Sequence, residues 1–278
     1  MAINDISLTS AMRSNLLSLQ QTAGLLDRTQ ERLSSGKKVN NPMDNAVNYF
    51  LAKSFTDRAG DLSISKDNMA TAIQTITAAS NGVKAISALV DSAKSVANSA
   101  VSSSSTTDRL AYLTQFNTLL AQIDNIAGTT GNDAVFNGTN LLNSATTTLS
   151  VDLGDGSSLT VTGFAATASG LSITNGGAWS ADTTGTSSIN AAVTSLTTAT
   201  ATLRTGTQNL SANLSIVTIR QTFASDMVNT LSKGSDNLTL ADMNEEGANM
   251  LALQTRQSLG VTSLSLASQA NQSILRLF

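Results

Sequence analysis

The side chains able to do chemistry are few, and they cluster in only one or two places. The densest group of carboxylates is Asp242, Glu245 and Glu246. Such a set could bind a hard cation or share a proton as a general acid pair. A cheaper explanation is a helix start. Thr239 and Asp242 have the spacing of a capping box, with Asp in place of Glu or Gln, and acidic groups favour the positive end of a helix dipole. Lys37-Lys38 is most simply a solvated turn. Histidine and cysteine are both absent. This removes the commonest general base, thiol nucleophiles, thiolate ligands and disulfides. Residues 144–188 contain no His, Cys, Glu or Lys, and their acids are Asp152, Asp155 and Asp182. The expectation is a protein without catalytic, cofactor or metal site, and not an enzyme.

The composition points the same way. With 41% apolar residues among 278, the chain can bury a sizeable core. With only 4% aromatic residues, it suits helices with small interface side chains better than a ligand pocket. A net charge of -3 supplies no basic field for nucleic acid or an anionic membrane surface, so neither is expected as a partner. Residues 1–20 interleave Asp5, Arg13 and several Asn, Ser and Thr with the apolar residues, so no secretory apolar core is expected there. No run approaches transmembrane length.

The elements that organise the chain show in its hydrophobic period. Phe55, Leu62, Met69, Ile76, Val83, Val90 and Ala97 fall seven apart, with Ala72, Ala79, Ile86, Ala93 and Ala100 three residues further on in the later repeats. This predicts a long helix with one apolar seam, opened by Asn41 as cap and Pro42 as first helical residue. Ile189, Leu196, Leu203, Leu210, Val217, Ala224 and Leu231 repeat the spacing, with Gly234 as the expected stop. Leu113, Phe116, Leu120, Ile123 and Ala127 predict a shorter helix between them. Three such helices should bundle. From Gly128 to Ser188 the period falls to two. Leu149, Val151 and Leu153, the pair Asp155-Gly156, then Leu159 and Val161 predict a hairpin. The residues beyond it, including Trp179, are expected to decorate the surface.

Both ends of the chain are predicted to be amphipathic helices. Met12, Leu16, Leu19, Ala23, Leu26 and Leu33 form one stripe, stopped by Gly36; Leu259, Leu266, Ala270, Ile274 and Leu277 form the other. Terminal residues seldom offset an ordering entropy of ~1–2 kcal/mol each, and isolated amphipathic helices are marginal in water. These stripes therefore need neighbours. If identical subunits supply them by a non-closing rotation, the product is a helical filament. The eleven residues of the two stripes are the expected subunit interface. The expected fold is mainly α with a small β insert, an antiparallel helical bundle or coiled-coil rod. Its parts are terminal segments 1–43 and 235–278, a helical rod at 44–143 and 189–234, and an outer insert at 144–188.

The run Glu31-Arg32-Leu33-Ser34-Ser35-Gly36-Lys37-Lys38-Val39-Asn40, followed by Asp44-Asn45-Ala46, resembles the N-terminal signature of bacterial flagellins. Phe136-Asn137-Gly138 is similar to the mid-chain element of that family, and Gln269-Ala270-Asn271-Gln272 with Ile274-Leu275-Arg276-Leu277 to its ending. The resemblance implies a subunit that polymerises into the flagellar filament for swimming, with terminal helices forming inner tubes and the insert facing the medium. It also implies export without a cleaved signal peptide, through the filament channel. The partners it implies are copies of the same chain, an export chaperone, the filament cap and hook-associated proteins. A hook-filament junction protein, which shares the terminal helices, is the alternative reading.

Overall fold

The computed structural model describes residues 10–128, 134–174, 177–180 and 183–275. Its described elements are helix α1 (Ser10–Ser35), α2 (Ala46–Ser102) and α3 (Thr106–Ala127), strands β1 (Thr148–Asp152) and β2 (Ser158–Thr162), then α4 (Thr183–Thr239) and α5 (Met243–Leu275). The chain divides into two compact units, residues 59–229 and the combination of 1–58 with 230–278.

Within the unit of residues 59–229, the heptad rows are the core. Met69, Ile76, Val83, Val90 and Ala97 of α2 are buried, as are Ile189, Leu196, Leu203, Leu210 and Val217 of α4. Phe116, Leu120, Ile123 and Ala127 of α3 join the same apolar cluster. One αL glycine and a hydroxyl set the ends of α3. The Ser105 hydroxyl accepts from the Asp108 amide, and Gly128, at φ 90°, turns its N–H back to the carbonyls of Asp124 and Asn125. Arg109 is buried in the first turn of α3, where it donates from Nε to the Ser103 carbonyl (2.7 Å) and from Nη2 to Thr186 of α4 (3.2 Å). Charge-assisted bonds of this kind compensate the cost of removing a guanidinium from water.

The β segment is less peripheral than its composition predicts. The hairpin forms in the expected register, Leu149 opposite Val161 and Val151 opposite Leu159. Its loop is wider than a two-residue turn, closing from the Leu153 amide to the Ser157 carbonyl with Gly154 and Gly156 both at positive φ. Beyond it, Ala166, Ala168, Leu171, Ile173 and Trp179 are buried in the helical core rather than spread over its surface. Trp179 is 0% exposed, its ring centroid 5.0 Å from that of Phe116. A single large aromatic ring outweighs its polar neighbours, since burying it removes far more apolar area from water than they can keep wet.

Three expected boundaries move. α2 begins at Ala46, not Pro42: Pro42 lies in a turn closed by the Asp44 amide on the Asn41 carbonyl, and the Asn45 side chain accepts from the Asn48 amide as the helix cap. Gly234 does not stop α4, which continues to Thr239. A Cβ there would meet the Phe55 ring at 3.2 Å, so the glycine serves close packing against an aromatic instead. Thr239 is not the cap of α5 either. Its hydroxyl returns to the Ser235 carbonyl, and Asp242 accepts from the amides of Asn244 and Glu245.

Candidate functional site

The remaining unit is built by α1 and α5 with the adjoining ends of α2 and α4. Its two connections hold each other. Lys38 donates its amide to the Thr239 carbonyl (2.7 Å) and Ala241 donates to the Gly36 carbonyl (3.0 Å). Gly36 makes this crossing possible. At φ 70° it ends α1 with its amide on the Arg32 carbonyl, and an L residue there would be strained.

From that crossing α1 and α5 run antiparallel. Lys37 bridges to Leu240, Arg32 reaches Glu246, and Leu19 lies against Gly260, so each step back along α1 is a step forward along α5. Gly260 lets the helices approach, because a Cβ there would fall 2.6 Å from Leu19 Cδ2. The Arg32 Nη1 to Glu246 Oε1 bond is 2.8 Å, with the glutamate almost completely enclosed. Glu246 thus serves as the counter-charge of α1, while Asp242 caps the helix. In the adjoining loop, the Asp44 carboxylate accepts from the amides of Asn40 and Asn41, both at 3.1 Å. These bonds, that of Asn41 first, hold its carboxyl below the usual aspartate range, with help from the charges of Arg32 and Arg28.

The residues expected to form an interface divide between two situations. On α1, Met12, Leu19, Ala23, Leu26 and Leu33 are half-buried and Leu16 is exposed. Their stripe lies partly against α5. On α5 the helix presents Glu246, Met250, Leu253, Gly260, Leu264 and Ala267 inward, all buried or half-buried. Leu259 (66% exposed), Leu266 (65%) and Ala270 lie on the other side. The side chain of Ile274, and Leu277 entirely, fall outside the described residues. Leu251, 68% exposed, belongs to the outward stripe but is absent from the sequence-derived set. Its position, two four-residue steps before Leu259, is the signal that could have found it. Leu17 and Leu25 of α1 and Val261 of α5 are further exposed apolar residues on this unit.

α5 therefore carries two apolar stripes, and the one facing away from α1 holds leucines as large as any on the inward side. No helix among the described residues is long and apolar enough to cross a membrane. What the arrangement can do is bury α5 a second time, against another protein surface.

Comparison with known proteins gives this surface its context. Residues 3–147 match the family described as the bacterial flagellin N-terminal helical region. Over their full lengths the chain is 33% identical to flagellin FljM of Caulobacter vibrioides and 32% identical to flagellin FljO of the same species. It is 30% identical to a flagellin of Brucella melitensis over 97% of both chains. With most of its length in helices seamed as described, a small hairpin at mid-chain and family likeness from end to end, the chain belongs to the bacterial flagellins, the structural proteins of the flagellar filament.

Proposed function

We propose that this flagellin polymerises through the outward faces of α1 and α5, each copy covering the stripes of its neighbours in a helical filament outside the cell. The observation that carries this reading is the stripe of Leu251, Leu259, Leu266 and Ala270, exposed on the far side of α5 while the near side packs on α1. Each large apolar side chain taken fully out of water contributes ~1.5–3 kcal/mol. A handful per copy, repeated along a polymer, suffices to drive assembly. Repetition also explains how a pair of helices with so little internal core can be ordered in the working state, because the filament supplies the remaining walls. Of the expected interface set, Leu16, Leu259, Leu266 and Ala270 are open for this contact, and Met12, Leu19, Ala23, Leu26 and Leu33 would add their exposed edges.

The further partners suggested by the family likeness fit the same surface. An export chaperone would cover apolar stripes before assembly, and filament cap and hook-associated proteins would meet them at the two ends of the polymer. Export through the filament channel without a cleaved signal peptide belongs to this reading too.

The test is deletion of residues 1–40 and 240–278, followed by electron microscopy of the purified chain under conditions in which the parent polymerises. The truncated chain is expected to stay monomeric and keep the helical circular dichroism of residues 59–229. Filaments formed by the truncated chain would overturn the proposal.

A further inference from the structure

Beside the apolar stripes, the unit built by α1 and α5 carries two grooves of opposite charge. The first, of about 320 Å³, lies between the two helices. Leu25 and Leu253 form part of its floor, and Arg28, Arg32 and Arg256 stand around it. Only Arg32 has a carboxylate partner here, Glu246; among the described residues no acid lies within 4 Å of Arg28 or Arg256. The Arg32 Nε is buried with no hydrogen-bond partner. Three guanidiniums around an apolar floor with one compensating acid leave a site short of negative charge.

The second groove, of about 500 Å³, is bounded by α1 and the loop that follows Asn40, and it brings together Asp27, Glu31 and Asp44 with the single cation Arg28, so that it is acidic on balance. On its lip Met43 is 97% exposed, the most exposed large apolar side chain of the chain's described residues. α1 produces both grooves by a simple device. Asp27 and Glu31 are four apart, Arg28 and Arg32 are four apart, and the two pairs are one residue out of step, so acidic and basic rows lie side by side about 100° apart around the helix. Arg28 stands at the edge of both grooves, which leaves three carboxylates against one guanidinium in the second and three guanidiniums in the first.

We infer that the acidic groove and its Met43 knuckle dock into the arginine-rimmed groove of a second copy. An apolar knob among carboxylates meets an apolar floor among guanidiniums, so shape and charge match together. The two patches are different surfaces of one subunit, which makes the contact head-to-tail and repeatable without closure. This inference rests on the assembly reading above and adds to it the element that sets register. Leucine stripes tolerate sliding, whereas opposed charge rows fix which copy meets which and where.

Two full-length variants test it. Arg28→Glu with Arg256→Glu makes the basic groove acidic, and Asp27→Arg with Glu31→Arg makes the acidic groove basic. Each alone is expected to raise the critical concentration for polymerisation at least tenfold, since like charges then face each other. An equimolar mixture is expected to recover parent-like filaments, because the unlike variants alternate with every contact satisfied. Circular dichroism and the thermal midpoint of each variant establish that both are folded. If either folded variant polymerises like the parent, or if the mixture of folded variants stays monomeric, the charge-register inference is overturned while the parent's own filaments leave the apolar assembly reading standing. If the truncated chain lacking both terminal segments polymerises, the assembly reading falls first and this inference with it.

Discussion

The unit of residues 59–229 and the unit built from the chain ends use the same secondary structure to opposite effect. In the first, three helices turn their apolar rows towards one another and the segment after the hairpin closes over them, leaving Trp179, Phe116 and Ile86 with no exposure. In the second, two helices meet through a mixed seam in which Gly260, Thr22, Thr29 and Glu246 interrupt Leu19, Met250, Leu253 and Leu264, and Leu251, Leu259 and Leu266 are left in water. Heptad spacing alone does not separate a finished core from an unfinished one. The difference lies in how many elements are available to cover each row. Residues 59–229 contain a third helix and a β segment that return to the seam; the chain ends have only each other.

The comparison is broken most severely by substitutions at the closed core. Phe116→Ala removes a fully buried ring in contact with Trp179 and is expected to cost ~3–5 kcal/mol, a lost transfer term plus a cavity that close-packed helices cannot collapse. Denaturant unfolding followed by Trp179 fluorescence measures it. A loss under about 1 kcal/mol would mean that the segment around Trp179 does not complete this core.

Two glycine substitutions sharpen the contrast at intermediate size. In the residue 59–229 unit, a Cβ at Gly163 would fall 2.5 Å from the backbone oxygen of Leu141, and backbone held by the Phe164 amide bond to the same carbonyl cannot move aside. Gly163→Ala is expected to cost ~1–3 kcal/mol. At Gly260 the nearest atom is the tip of Leu19, a flexible side chain. Relief of a mid-helix glycine, worth roughly 0.5–1 kcal/mol, offsets the shift required of Leu19. Gly260→Ala is therefore expected to leave thermal stability nearly unchanged. Equal destabilisation by the two variants, measured by calorimetry, would show that α1 and α5 are packed as tightly as the core. Smaller still is the effect of Leu259→Ser with Leu266→Ser on the isolated chain, expected within about 1 kcal/mol of the parent because both leucines already face water. The same pair should block polymerisation, so a stability loss of several kcal/mol in the monomer would place these residues inside it.

These contrasts also mark what the amino-acid sequence reveals. The rows from Leu62 to Ala97 and Ile189 to Ala224 are legible residue by residue, since a seven-residue repeat sustained over so many turns has few other solutions. The hairpin register is legible from alternation. Trp179 is misleading because it stands among Gly, Ser and Thr, and no local pattern shows that Phe116 of α3, distant in the chain, leaves a slot beside it. The outward stripe of α5 is legible because leucines mark it. The inward stripe is harder to read, because Glu246, Gly260 and Ala267 interrupt the row of Met250, Leu253 and Leu264. Helix ends at Pro42 and Gly234 fail for a related reason: a carboxylate from Asp44 and a ring from Phe55 reuse residues whose usual role is punctuation. The basic groove needs both α1 and α5 in place, so Arg28 and Arg256, far apart in the chain, give no joint signal.

The finest probe of the comparison is pH, because each unit has one loop closed on an exposed aspartate. Asp155 in the hairpin loop is held below its usual range by the Ser157 hydroxyl and then the Ser157 amide; Asp44 is held down by the amides of Asn41 and Asn40. A carboxyl whose folded value is depressed binds its proton less readily in the folded chain than in the unfolded one. Its contribution is then complete above the ordinary value of 3.8 and fades as pH falls through the lower folded value. Asp44→Asn removes the charge and should abolish that fading, so the difference in thermal midpoint between parent and variant is expected to shrink as the solution is made more acid than the ordinary value. Protection of the Asn40 and Asn41 amides against hydrogen exchange should fall with it in the parent. A difference that widened on acidification would mean the carboxylate opposes the loop it closes, and the acidic groove beside Met43 would lose the rigid edge on which its docking depends.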